Sequence, residues 1–141
     1  MIETLSFETS LIENESNLNG LKAHDLFEAF KTLSVNKKKN IARENSIIIL
    51  NYLMNEYSNN CKYYSNLLES TKYLLLLCSD NKLEEKSKEL VNKVFDLFFN
   101  NSSTLAYSLL DKFLEGIHTS NKLNTKKVSF EYLSLLTNKC S

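Results

Sequence analysis

Lys86–Cys140 reads KSKELVNKVFDLFFNNSSTLAYSLLDKFLEGIHTSNKLNTKKVSFEYLSLLTNKC, and its apolar residues are regularly spaced. Leu90, Val91, Val94, Leu97 and Phe98 recur at steps of three and four. So do Leu105, Leu109, Leu110, Phe113, Leu114 and Ile117. A third set is Val128, Tyr132, Leu133, Leu135 and Leu136. Steps of three and four keep side chains on one face of an α-helix, so the stretch predicts three amphipathic helices in series, joined by short polar turns. These residues describe an all-helical scaffold and reveal no activity of their own.

The same pattern extends towards the N-terminus. Leu21–Ser34 carries Leu26, Phe27, Phe30 and Leu33 on one face, followed by the turn Asn36–Asn40. Ile41–Ser58 carries Ile47, Leu50, Leu53 and Met54, and its unbroken run Ile47–Leu50 predicts burial on more than one side. Cys61–Ser79 carries Tyr64, Leu67, Leu68, Leu74, Leu75 and Cys78, and Ser79-Asp80-Asn81 supplies turn and capping chemistry for the helix over Leu83–Phe99. Ser103–Thr119 and Asn124–Cys140 complete the series. Residues 1–20 are weakly patterned and form a lead-in or cap, broken at Gly20.

Alternate helices resemble one another. ENSIIILNYLMNEY from Glu44, KELVNKVFDLFFN from Lys88 and KKVSFEYLSLLTNK from Lys126 each close on an apolar pair: Leu53-Met54, Leu97-Phe98 and Leu135-Leu136. Their offsets, about 40 residues, match the period of HEAT and armadillo units. The expected architecture is therefore all-α: a right-handed solenoid of about three antiparallel helix pairs over residues 21–141. A closed bundle of six or seven helices is the alternative.

Composition sets limits. The chain has 141 residues, which fits one domain with a core of its own. It has no proline and two glycines, too few turn-formers for a sheet protein of this size. Seventeen basic residues balance seventeen acidic ones, so bulk charge implies no nucleic-acid or membrane partner and only a local patch can attract one. Cys61, Cys78 and Cys140 are widely spaced and suggest reduced thiols in a cytoplasmic protein rather than a zinc site. The sequence shows no signal-peptide pattern and no apolar run long enough to span a bilayer.

One local patch is visible. Lys37, Lys38, Lys39 and Arg43 fall where one helix begins. Lys82, Lys86 and Lys88 fall where its counterpart begins, and Lys122, Lys126 and Lys127 where the third begins. Cations there oppose the helix dipole at about 0.3–1 kcal/mol each. In a solenoid they would stack into a basic ridge suited to phosphate backbone without base reading. The alternative is a solvated rim neutralised by Glu44, Glu84 and Glu85. Tyr52, Tyr57, Tyr63, Tyr64 and Tyr73 suit helix interfaces with their hydroxyls at the edge. His24 and His118 are isolated, and no phosphate loop, HExxH or nucleophile elbow occurs, so neither enzyme activity nor a cofactor, metal or small-molecule substrate is expected.

Three stretches carry a family resemblance: HDLFEAFKTLSVNKK (24–38), YYSNLLESTKYLLLLCSDNKLEEKSKELVNKVFDLF (63–98) and NNSSTLAYSLLDKFLEGIHTSNKLNTKKVSFEYLSLLTNKC (100–140). From about His24 onward the chain resembles the N-terminal HEAT region of fungal-type translation elongation factor three and, more distantly, the related ribosome-bound general-control scaffold. It departs from the family at Ser102-Ser103 and Asp111, where prolines are common. The 141 residues hold neither the family's two ATP-binding cassettes nor its chromodomain-like insertion, so the resemblance carries no ATPase activity. It implies a piece or a stand-alone remnant of such a factor, with the ribosome (ribosomal RNA and ribosomal proteins) as partner and the lysine-bearing helix starts as the contact. A protein–protein adaptor unrelated to translation is the alternative.

Overall fold

Helix formation follows the apolar spacing closely. The computed structural model describes residues 5–101, 103–119 and 122–140. Its helices are α1 (Leu5–Thr9), α2 (Ala23–Ser34), α3 (Asn40–Tyr57), α4 (Tyr64–Leu77), α5 (Glu84–Asn101), α6 (Ser103–Thr119) and α7 (Leu123–Cys140). Single 3-10 turns occur at Glu15–Leu18 and Cys61–Tyr63, and no strand occurs among the described residues. The chain is all-α, in two compact units, Met1–Asn66 and Leu67–Ser141.

In the first unit α2 and α3 form a helical hairpin, with α1 and the first 3-10 turn laid on α3. Leu26, Phe30 and Leu33 of α2 and Ile49, Leu50 and Leu53 of α3 are fully buried. Each such side chain contributes about 1.5–3 kcal/mol by leaving water. The helix α3 is buried on more than one side because α2 covers one face and residues 7–19 reach another.

The buried Asn45 side chain makes the most bonds to that N-terminal segment. Asn45 Oδ1 accepts the Ile12 amide at 2.8 Å, while its Nδ2 donates to the Phe7 carbonyl at 2.6 Å and the Ser10 carbonyl at 2.8 Å. Nearby, Asn51 Nδ2 donates to Glu15 at 3.0 Å, and the Tyr52 hydroxyl donates to Asn19 Oδ1 at 3.1 Å. Gly20 follows at φ 87°, a left-handed turn that lets the chain enter α2.

In the second unit α5 packs on α6 and α6 on α7. Phe95, Phe113 and Tyr132, one from each helix, form an aromatic cluster with ring centroids 5.6–6.5 Å apart. The Tyr132 hydroxyl reaches the Lys88 carbonyl at 3.3 Å and Asn92 Oδ1. Thr125, fully buried, donates to the Leu75 carbonyl at 2.8 Å and ties the first turn of α7 to the last turn of α4.

The structure departs from the expected α7 face at Leu135, which is 46% exposed rather than buried. Val128 and Tyr132 define the buried side of α7, and Leu135, seven residues after Val128, stands on that same side, so its exposure shows that the cover over this side does not extend to it. Leu123 and Phe130 are exposed as well, at 79% and 62%.

Candidate nucleic-acid interface

The lysine groups are set by local turn chemistry. Before α3, Asn36 Oδ1 accepts the backbone amides of both Lys38 and Lys39, each at 3.0 Å. Before α5, Asp80 Oδ1 accepts the Lys82 amide at 3.0 Å, and before α4, Asn60 Oδ1 accepts the Lys62 amide at 3.1 Å. These are Asx turns, in which a short polar side chain imitates a backbone turn. Each repeats one three-residue pattern, Asn36-Lys37-Lys38, Asn60-Cys61-Lys62 and Asp80-Asn81-Lys82, so each delivers a lysine at the end of a fixed bend. That spacing is the sequence signal that points to Asn36, Asn60 and Asp80 as positioning residues.

The ten candidate cations differ in what surrounds them. Lys37, Lys38 and Lys39 are exposed, and no acid occupies the first turn of α3 to offset them. Arg43 is half-buried and is used structurally: its Nη1 donates to the Asn36 carbonyl at 2.7 Å and its Nη2 to Asn40 Oδ1. Lys82 and Lys86 are exposed beside Glu84 and Glu85, which fill the first turn of α5. Lys88 is half-buried and pairs with Glu131 at 3.6 Å. Lys122, Lys126 and Lys127 are exposed at the start of α7, where the first turn again lacks acids. Two groups therefore keep uncompensated positive charge at a helix start, Lys37–Lys39 and Lys126-Lys127, whereas the α5 group is neutralised locally.

Within the second unit the Thr125–Leu75 bond places the α7 lysines at the same end as the turn bearing Lys82. The Lys37–Lys39 turn belongs to the first unit.

The tyrosines serve mostly as packing. Tyr52 is buried, and Tyr63 lies 4.6 Å from Tyr57 and 6.2 Å from Phe27 between ring centroids. Lys62 Nζ sits 5.6 Å from the Tyr63 ring centre, a cation–π geometry. These residues border an open cleft of about 470 Å³ lined by Lys22, Ala23, His24, Lys62, Tyr63 and Asn66. His118 stands exposed in the last turn of α6.

Burial pushes the Cys78 thiol up to about 12, helped by Glu84 and opposed by Lys88. A thiol held protonated in this way is a poor nucleophile and a poor metal ligand. Among the described residues no group of three or more His, Cys, Asp or Glu is arranged to hold a metal ion. Among them, too, no helix is long and apolar enough to cross a membrane. No family model, curated protein or solved structure matches the chain.

Proposed function

We propose that the chain is a non-catalytic HEAT-type helical-repeat module that binds the ribosome through its lysine-bearing helix starts, in the manner the resemblance to elongation factor three implies. The observation that carries this reading is the Asn36 turn. It fixes the backbone of Lys38 and Lys39, leaves three consecutive lysines exposed, and has no acid in the following helical turn to neutralise them. The turn removes backbone disorder while each lysine side chain still loses its own rotamer freedom on binding, and the contacts carry no base specificity because lysine presents a point charge.

The HEAT-type reading draws support from register in the second unit. Lys72 of α4 pairs with Glu115 of α6 at 3.4 Å, and Lys88 of α5 pairs with Glu131 of α7 at 3.6 Å. Both pairs join alternate helices at the same residue separation. The Tyr132 hydroxyl bonds, 44 and 40 residues apart, join α5 and α7 near that separation too. Alternate helices that touch at a constant offset of about 40 residues are what stacked helix pairs produce.

Binding to ribosomal RNA should weaken linearly in log–log form as salt rises, with a slope of about −0.7 per contacted phosphate in single strands. Converting Lys37, Lys38 and Lys39 to glutamine should reduce that slope by about 2. A slope equal to the parent's would remove this turn from the interface.

A further inference from the structure

We infer that the outer face of α7 is a stacking site for an unpaired RNA nucleotide, with Phe130 as the platform and Lys126 and Lys127 as the phosphate contacts. This rests on the RNA-binding reading above and names the part of RNA it takes. Phe130 is 62% exposed and Leu123 is 79% exposed, while Thr125, Val128, Ser129 and Tyr132 form the buried side of the same helix. Phe130 lies three and four residues beyond Lys127 and Lys126, and Leu123 lies three and four residues before them. On a helix those spacings make all four side chains neighbours on one face.

Charge decides the occupant. Lys126 and Lys127 are exposed, and neither has an ion-pair partner among the described residues. Glu131, the next acid on the helix, is drawn to Lys88. The face therefore offers an exposed ring one helical turn from two uncompensated ammonium groups. An apolar protein surface laid on this ring would have to desolvate both cations without repayment. A nucleotide carries a flat base and a phosphate in one unit and satisfies both features. A base inside a duplex is already stacked on both sides, so the preference is for single strands or loops.

The test uses the full chain and a fluorescently labelled 12-nucleotide single-stranded RNA, beside a blunt RNA duplex of the same length. Phe130→Ala should leave the thermal melt unchanged, because the ring is exposed, and should weaken single-strand binding about tenfold with little effect on the duplex. Lys126→Gln with Lys127→Gln should weaken both RNAs alike. The chain has no tryptophan, so Phe130→Trp provides a single reporter whose emission should be quenched when the single strand is added. Single-strand affinity unchanged in Phe130→Ala overturns the inference while leaving the lysine reading in place. If the parent binds neither RNA at low salt, the lysine reading itself fails. A blue shift of the Phe130→Trp emission with rising protein concentration, in the absence of RNA, overturns the inference in favour of a contact between copies of the chain.

Discussion

Replacing Asn45 with alanine should detach the N-terminal segment from α3. The side chain is fully buried and makes three hydrogen bonds, all to backbone groups of residues 7–12. Each bond contributes about 0.5–1.5 kcal/mol net, which gives about 1.5–4.5 kcal/mol for the three. The upper end applies only if the orphaned carbonyls and amide stay buried. If the segment swings out instead, water satisfies them and the loss is capped by the segment's own docking energy, so about 2–3 kcal/mol is expected. Urea unfolding measures the loss, and hydrogen exchange at the Ile12 amide reports the local detachment directly. Asn45→Asp sharpens the test. A carboxylate can still accept from Ile12 but cannot donate to Phe7 or Ser10, and burial raises its pKa above the unfolded value near 3.9. The protonated acid restores one of the two donations, so the penalty should be smallest below about pH 4 and grow as pH rises towards neutrality. If Asn45→Ala unfolds within 0.5 kcal/mol of the parent (roughly the scatter of a neutral surface change) and Ile12 exchange is unaltered, the clamp has no energetic role.

Four further outcomes follow from named contacts. In a Cys140→Ser background, a thiol reagent should label Cys61 quickly, because it is exposed, and Cys78 only on unfolding; two fast thiols would contradict the burial. The Cys78 thiol stays protonated to about 12 when folded against 9.0 ordinarily, so stability should fall as pH rises from about 9 to about 12, and Cys78→Ala should flatten that decline in alkaline melts. Among the described residues Ser87 Oγ is buried without a hydrogen-bond partner, so Ser87→Ala should raise stability by about 1 kcal/mol in chemical denaturation, and a loss would show that the hydroxyl is satisfied. Gly20→Ala meets no atom within 4 Å but must adopt φ 87°, so it should cost about 1–2 kcal/mol through the backbone alone, again read by urea midpoint.

Much of the helical layout is legible in the sequence because spacing at three and four is a direct consequence of helix geometry. Leu26, Phe30 and Leu33, or Leu90, Val91, Val94 and Phe98, lie on the buried faces that their periods indicate. Helix ends are less legible. Cys61 looks like the first residue of α4, yet Asn60 captures the Lys62 amide and imposes a 3-10 turn first. Asn45 is illegible for a different reason. A buried asparagine leaves no periodic trace, and its partners are backbone groups 33–38 residues earlier, whose position depends on the finished fold. Leu135 misleads because it shares the face of Val128 and Tyr132, and spacing fixes the face of a helix but not how far along it neighbours cover it.

At the candidate interface, the clustering of lysines at helix starts is plain from sequence, but their availability is not. Arg43 and Lys88 read as members of the same set, yet one is spent on the Asn36 carbonyl and the other on Glu131. The Glu131 contact spans two helices, so no local pattern announces it. Phe130 escapes notice because it falls off the buried period of α7, and only its 62% exposure marks it.

Ribosome binding through the Lys37–Lys39 turn is measured by co-sedimentation with ribosomes across a salt series, comparing the parent with a chain in which Lys37, Lys38 and Lys39 are all changed to glutamate. The parent should pellet with ribosomes at about 50 mM salt and be progressively released by about 200 mM, while the charge-reversed chain stays in the supernatant throughout. A parent that fails to pellet at low salt, or pelleting that neither salt nor charge reversal disturbs, would contradict it.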